Sequence, residues 1–449
     1  MVKQCVKNGM NETKVLVISH NVFDRRTNMG KTLSSFFFAW NPERLAQLYV
    51  HSEIPTSDIC YKCYRITDID ALKSLLPGKR NHAGRAFSET DIDTERASSR
   101  VDTGIQHKIY SYGRKRTPLI YAARNMMWRL SGWYSDSLKQ WISDFAPDVI
   151  FFAAGDYAFA YDIAFRVSKD FDIPIVMYCC DDFFINRRNP DSLLGRSVYR
   201  SFMRSVRRCF SRTAAMVTIC DKMTEAYKTL FDRTIYTVYT GYSAKGQMNV
   251  DGDGVVYLGN LGFSRNKALV EIGQALKRIS ERTGQQLHLD VYSAENRPEV
   301  LKELTEENGI IFHGAVDRDA VQRIIAASRL AVHVESFTEE NRQKVMYSVS
   351  TKIADLLSSG RCIFAYGPAD VASIEYLKKN QAACVVDAPE RLEETLMDIL
   401  TNRERRSDVV QSAMMLADKN HEPALVQEKI RKIIERSCRG AILTEWERN

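Results

Sequence analysis

The stretch "STKIADLLSSGRCIFAYGP", residues 350–368, sets Lys352 and Asp355 three residues apart on one helical face and ends that helix at Ser-Ser-Gly. The apolar run "CIFAYG" (362–367) follows at once and reads as a buried strand. A helix that only packs would place apolar residues where this one carries a base and an acid. Working outward, the same helix-then-strand rhythm recurs on both sides. Upstream lie "VVYLGNLG" (255–262), a helix over about 266–283, "LHLDVYS", "IIFHGAV", a helix over Asp319–Ala327 and "LAVHVES"; "AACVVD" (382–387) lies downstream. An earlier series runs through "KVLVIS" (14–19), "LAQLYVH" (45–51), "PDVIFFAAG" (147–155), "IPIVMYC" (173–179), "AAMVTIC" (214–220) and "IYTVYTG" (235–241). Asp221 is the expected cap of the helix after the fifth of these. Continuous apolar strands alternating with helices imply parallel sheets covered on both faces, and two such series imply two Rossmann-like domains.

The polar, Gly-rich segment 242–254 is the expected boundary. The domains are read as 12–243 and 254–420, with a C-terminal helix at 424–449 expected to pack back on the first. A chain of 449 residues is long for one core, which agrees with two. Residues 78–105 are polar and read as a loop or insertion. Hydrophobic residues make up 45% and charged residues 27%, as in ordinary globular proteins. The net charge of +7 suits an anionic ligand or a membrane surface and is too scattered for nucleic acid. The ten cysteines form no disulfide or zinc framework. "MVKQCVKNGMNETK" has no apolar run of signal-peptide length, and no uncharged apolar stretch of about 18 residues occurs. The expectation is a cytoplasmic protein that meets any membrane peripherally, on the inner face of the plasma membrane.

In an open parallel sheet, ligands bind beyond the carboxyl ends of strands. After the first strand, Gly30 is expected to precede a helix starting near Lys31 and to admit a phosphate, although a plain loop-to-helix turn reads the same way. After 173–179 come Asp181 and Asp182, carboxylates fit to act as a base or to steady developing positive charge, one of which caps the following turn instead. After 255–258, "GNLGFSRNK" offers Gly259, Asn260, Gly262, Arg265 and Lys267 to a diphosphate, or is a solvated basic turn.

"VSTKIADLLSSG" resembles the donor-binding helix of GT-B glycosyltransferases, especially the retaining family four (group 1) of bacterial surface-polysaccharide clusters. Ser350, Lys352, Asp355 and Gly360 fill the family's small residue, Lys, acid and Gly, with Thr351 between the first two. The resemblance covers nearly the whole chain and implies two Rossmann-like domains facing across a cleft. It further implies an acceptor in the first domain, and a nucleotide-sugar whose ribose meets Asp355 and whose diphosphate meets the helix start and a basic group. Departures are plain. Asn260 stands at the family's Arg and Arg265 at its Lys; Tyr347 stands at the first of two glutamates and Asp355 at the second. Glu335 offers a substitute at a different spacing. Cys180 and Asp181 stand where many members have His-Asp.

The function implied is transfer of a sugar from a nucleotide-sugar to a glycan or polyprenyl-linked acceptor in exopolysaccharide, capsule or O-antigen synthesis, with retention of configuration. No metal or other cofactor is expected, and no nucleic acid partner. A non-hydrolysing sugar-nucleotide epimerase and a non-catalytic GT-B binding or regulatory subunit are the alternatives. Residues 191–210 and 114–130 read as basic amphipathic helices. In the former, Leu194, Val198, Phe202, Val206 and Phe210 form one stripe that faces either anionic lipid or the core.

Overall fold

The computed structural model describes residues 13–24, 28–79, 83–92, 117–186 and 192–438. The chain divides into two compact units, Met1–Val238 with Val426–Asn449, and Tyr239–Leu425.

Unit 1 runs β1 (Val15–Ser19), α1 (Asn28–Phe37), β2 (Leu45–Tyr49), β3 (Lys62–Arg65), α2 (Asp68–Lys73), β4 (Arg85–Phe87), α3 (Pro118–Leu130) and α4 (Asp136–Phe145). It continues through β5 (Val149–Ala154), α5 (Ala158–Phe171), β6 (Ile175–Cys179), α6 (Leu193–Phe210), β7 (Thr213–Thr218), α7 (Asp221–Lys228) and β8 (Thr234–Thr237). Its eight strands are ordered β4-β3-β2-β1-β5-β6-β7-β8. Every pairing is parallel except β3 with β4. β1, β2, β5 and β6 are buried along their whole length, as their unbroken apolar runs require of a sheet with helices on both faces.

Unit 2 runs β9 (Val255–Leu258), α8 (Arg265–Thr283), β10 (Leu289–Tyr292), α9 (Pro298–Leu301), β11 (Ile310–Gly314), α10 (Arg318–Ala327) and β12 (Leu330–Val334). Then come α11 (Glu339–Val345), α12 (Lys352–Leu357), β13 (Cys362–Tyr366), α13 (Ala372–Lys379), β14 (Cys384–Val386), α14 (Leu392–Thr401) and α15 (Arg403–Asn420). Its six parallel strands are ordered β11-β10-β9-β12-β13-β14 over a core that includes Leu269, Leu276, Leu289, Phe364 and Leu396. A last helix, α16 (Pro423–Cys438), carries Val426, Ile430, Ile433 and Ile434 into the core of unit 1, and its Gln427 Nε2 donates to Ser35 O at 3.1 Å.

Some local expectations change. Gly30 lies inside α1 rather than before it: a Cβ there would meet Val22 O at 2.3 Å, so the helix packs on the β1 loop only through a glycine. Cys220 occupies the cap of α7 and Asp221 is its first helical residue. Part of the segment read as a loop is structured: β4 pairs antiparallel with β3, and Ser88 starts a short helical turn. The rest of that reading, 80–82 and 93–105, lies outside the described residues, as do 114–116, 191 and 439–449. On α6 the apolar stripe turns inward at Phe202 and Val206, which are buried, and the arginines turn outward.

Candidate functional site

Strand order reverses beside β9 and β12 in unit 2, and beside β1 and β5 in unit 1. Carboxyl ends of strands at such reversals leave crevices between diverging loops, where ligands bind.

In unit 2 the turn after β9 is held rigidly. Gly259 N–H donates to Tyr292 O at 3.0 Å, Tyr257 Oη donates to Asn260 O at 2.7 Å, and Asn260 Oδ1 accepts from Gly262 N–H at 2.5 Å. Phe263 and Ser264 follow, both left-handed at φ 59 and 56. Two successive side-chain-bearing residues in that region are strained, a cost of about 1–3 kcal/mol each that surrounding contacts must offset. One such contact is Asn341 Nδ2 donating to Ser264 Oγ at 3.0 Å. α8 then opens with Arg265.

The guanidinium expected to reach a diphosphate is engaged by Glu335, the residue after β12. Arg265 Nη2 donates to Oε1 at 3.0 Å and Oε2 at 2.9 Å, and Nε to Oε2 at 3.2 Å. The pair is sheltered, with 16% of the Arg265 side chain and 2% of the Glu335 side chain exposed. Burial pushes the Glu335 carboxyl up, against the pull of Arg265. His333, one turn of the strand earlier, donates or accepts at Ser373 Oγ (3.0 Å) and lies 3.7 Å from Glu335 Oε1. Burial first, then the charges of Arg265 and Lys352, push His333 down to about 3.

α12 answers the question its Lys and acid raise. Lys352 Nζ crosses to the end of β9 and donates to Leu258 O at 3.1 Å. Asp355 Oδ1 accepts from Ser243 N–H at 2.7 Å, and Ser358 Oγ donates to Ala244 O at 2.8 Å. α12 ends at Leu357, and the turn beyond it reaches Gly360, φ 71, whose carbonyl accepts from Asn249 N–H at 2.9 Å. A Cβ at Gly360 would lie 2.2 Å from Gln247 O. The structure therefore brings Gly259, Asn260, Arg265 and Lys352 together at the end of β9. Ser350 sits beside them, its Oγ accepting from Lys352 N–H at 3.4 Å, and Thr351 is the exposed residue starting α12. Asp355 lies one turn on, against residues 243–244, and Lys267 is exposed inside the first turn of α8.

In unit 1 the two carboxylates after β6 part company. Asp182 Oδ1 accepts from the N–H groups of Phe184 (3.1 Å) and Ile185 (3.0 Å) and from Tyr227 Oη (3.1 Å), and its Oδ2 accepts from Asn186 N–H at 2.9 Å. That side chain shapes the turn. Asp181 is exposed and accepts from Asp182 N–H at 2.9 Å.

A second group in unit 1 was not singled out from the sequence. Buried Gln47 and Glu53, from β2 and the loop beyond it, take the N–H groups of Phe23 and Val22 and so fix the loop after β1. His20 on that loop lies 5.2 Å from the His51 ring and stacks on Tyr157 at 6.2 Å. Burial, then Arg124 and His51, hold His20 well below the usual imidazole range. Arg124 lies over Tyr157 at 4.1 Å, and Tyr121 Oη donates to Asp156 Oδ2 at 2.6 Å. The available signal was position: His20 follows β1, His51 comes just after β2, and Asp156 just after β5. Among the described residues no three His, Cys, Asp or Glu side chains gather as a metal-holding group.

Residues 272–431 match the model of a family described as glycosyl transferase-like. No curated protein matches the chain. Among solved structures, an α,α-trehalose 6-phosphate synthase of Burkholderia multivorans is similar at TM-score 0.55 and 12% identity, covering 96% of this chain and 99% of that one. The sucrose-phosphate synthase of Thermosynechococcus elongatus reaches TM-score 0.60 at 10% identity, covering 95% and 100%. HepE of Anabaena, in complex with UDP, reaches 0.57 at 11% identity, covering 94% and 100%. The chain thus has the two-domain α/β fold of GT-B glycosyltransferases, with a glycosyl transferase-like segment in residues 272–431.

Proposed function

We propose that the protein is a glycosyltransferase that takes a sugar from a nucleotide-sugar, a UDP-sugar being the first to test, and passes it to a glycan or polyprenyl-linked acceptor. The observation that carries this reading is the convergence of Lys352, within the glycosyl transferase-like segment, on the turn between β9 and α8 at the strand reversal of unit 2. The amino end of α8 and the Lys352 ammonium together suit a diphosphate, and they stabilise it as it leaves. Arg265, clamped by Glu335, holds the turn in place. Asp355 takes the ribose hydroxyls while keeping Ser243. Asp181 is the exposed carboxylate of unit 1 for the acceptor side. We assign retention of configuration, no metal, and a place in surface-polysaccharide assembly at the inner face of the plasma membrane.

The test is calorimetric binding of UDP and other nucleoside diphosphates, with release of diphosphate from a panel of sugar nucleotides. A charged hydrogen bond of about 1.5–3 kcal/mol predicts that Lys352→Ala weakens binding by roughly tenfold to a hundredfold. Turnover with one donor, lost in Asp355→Ala, completes the reading. Binding that ignores Lys352→Ala overturns the donor site. Binding without release across all donors and membrane-extract acceptors favours a non-catalytic subunit, and a C2-inverted sugar nucleotide an epimerase.

A further inference from the structure

α3 is amphipathic with its polar side inward. Its inner face holds Tyr121, Arg124 and Trp128. Arg124 Nε and Trp128 Nε1 both donate to Asp68 of α2 (3.0 and 2.7 Å), and Trp128 stacks on Phe159 at 4.4 Å. Its outer face carries Leu119, Ala123, Met126 and Leu130, spaced i, i+4, i+7, i+11, so that one side of the helix is apolar and turned to solvent. Leu119 is 68% exposed, Met126 64% and Leu130 56%. The helices packed beside it extend the surface. Leu72 of α2 and Leu75 and Leu76 just beyond it are exposed, and the start of α6 exposes Leu193 at 78%. Large exposed apolar side chains gathered on neighbouring elements in this way mark a contact surface rather than scattered exposure.

The charge beside it has one sign. Residues 72–79, 118–130 and 193–210 contain no Asp or Glu. Lys73, Lys79, Arg129, Arg196, Arg200 and Arg204 are exposed around the apolar side chains. Arg208 pairs with Asp162 of α5 at 2.7 Å. Arg196, Arg200, Arg204 and Arg207 make no ion pair among the described residues. A second copy of this chain is a poor occupant, since two-fold contact through this face would set like arginine rows against each other. Exposed apolar side chains on three stretches whose own charges are all basic suit an anionic lipid headgroup layer, with leucines at the acyl boundary and arginines at the phosphates. No described helix is long and apolar enough to cross a membrane, so the contact is interfacial.

We propose that unit 1 docks on anionic bilayers through the outer stripe of α3, the carboxyl end of α2 and the arginine row of α6. This deepens the lipid-linked acceptor proposed above, and rests on that reading only for its purpose. The test is sedimentation of the full chain with phosphatidylcholine vesicles, with and without phosphatidylglycerol, in the absence of nucleotide. Binding is expected to anionic vesicles alone and to fall as salt rises. Arg200→Gln with Arg204→Gln should weaken it about twenty-fivefold, from roughly fivefold per arginine. Leu119→Glu with Met126→Glu should abolish it while thermal unfolding stays at the wild-type midpoint, both sites being exposed; Met126→Ser, with a smaller loss, guards against misfolding of that pair. No binding to anionic vesicles at low salt overturns the proposal, as does binding that both sets of variants leave intact. A self-associated species dispersed by Met126→Glu, or capture of an acidic protein in place of vesicles, overturns it too. Nucleotide binding is measured without vesicles, so loss of either reading leaves the other standing.

Discussion

Replacing Arg265 or Glu335 tests whether the guanidinium is a structural clamp or a group waiting for phosphate. Three hydrogen bonds at 2.9–3.2 Å join a side chain 16% exposed to one 2% exposed. Removing one partner of so sheltered a pair leaves the other charge buried, a loss of about 3–5 kcal/mol. Arg265→Met should therefore cost about 3–4 kcal/mol, because Glu335 keeps little water. Glu335→Gln should cost about 2 kcal/mol, because an acceptor remains and Arg265 has some exposure. The double variant should cost less than the sum by about 2 kcal/mol. The assay follows from composition. The chain has five tryptophans, at 40, 128, 133, 141 and 446, and none falls in 239–425. Urea unfolding by far-ultraviolet circular dichroism sees both units, while tryptophan fluorescence records unit 1, so a change in dichroism alone belongs to unit 2. The expected result is a shift in the dichroism transition not matched in fluorescence. Single variants that each cost under about 1 kcal/mol, with no coupling, refute the clamp. Arg265 would then be available for a diphosphate after all.

Two further outcomes follow from the same unit. His333, held at about 3 by burial and by Arg265 and Lys352, binds a proton in the unfolded chain below pH 6.5 but not in the folded one. Its contribution is whole above that pH and lost as pH falls; Glu335, raised by burial, works the other way nearer its unfolded value of 4.5. Between pH 7.5 and 5.5, wild type should lose about 1.4 kcal/mol more than His333→Asn by dichroism, and equal slopes would exclude a buried neutral imidazole. Gly360→Ala places a methyl 2.2 Å from Gln247 O at φ 71. It should cost more than about 3 kcal/mol, read as a fallen midpoint of the unit 2 transition, and a loss below about 1 kcal/mol would contradict the close approach of 247–249 to α12.

The parallel sheets were legible because their central strands are buried on both faces and so read as unbroken apolar runs. β3 and β4 were not. They lie at the edge of the sheet, and "RAF" buries only Phe87, so neither alternation nor a long run exists to be seen. α4 was legible in principle: Ser135 caps it, and Leu138, Ile142 and Phe145 are buried at i, i+4, i+7. In the site, Lys352 and Asp355 stood out as local pattern, yet their partners, Leu258 O and Ser243 N–H, lie 94 and 112 residues away. Glu335 could be noticed but not matched to Arg265, since only the adjacency of β9 and β12 brings them together. For Asp181 and Asp182, the sequence allowed one to cap the turn and one to serve the site, and only the turn geometry shows that Asp182 takes the backbone N–H groups.

The path of α16 has a consequence for how the chain is made. Val426, Ile430, Ile433 and Ile434 complete the core of unit 1, and the ribosome adds them after every residue of unit 2. Domains tend to acquire structure as soon as their sequence has emerged. Unit 2 is contiguous and can finish at Leu425, whereas unit 1, begun first, must wait with an unfilled apolar surface until the final helix arrives. During synthesis the older half of the molecule is thus the one that needs protection longest, and a nascent chain halted near residue 425 should carry a protease-resistant unit 2 beside a protease-sensitive unit 1.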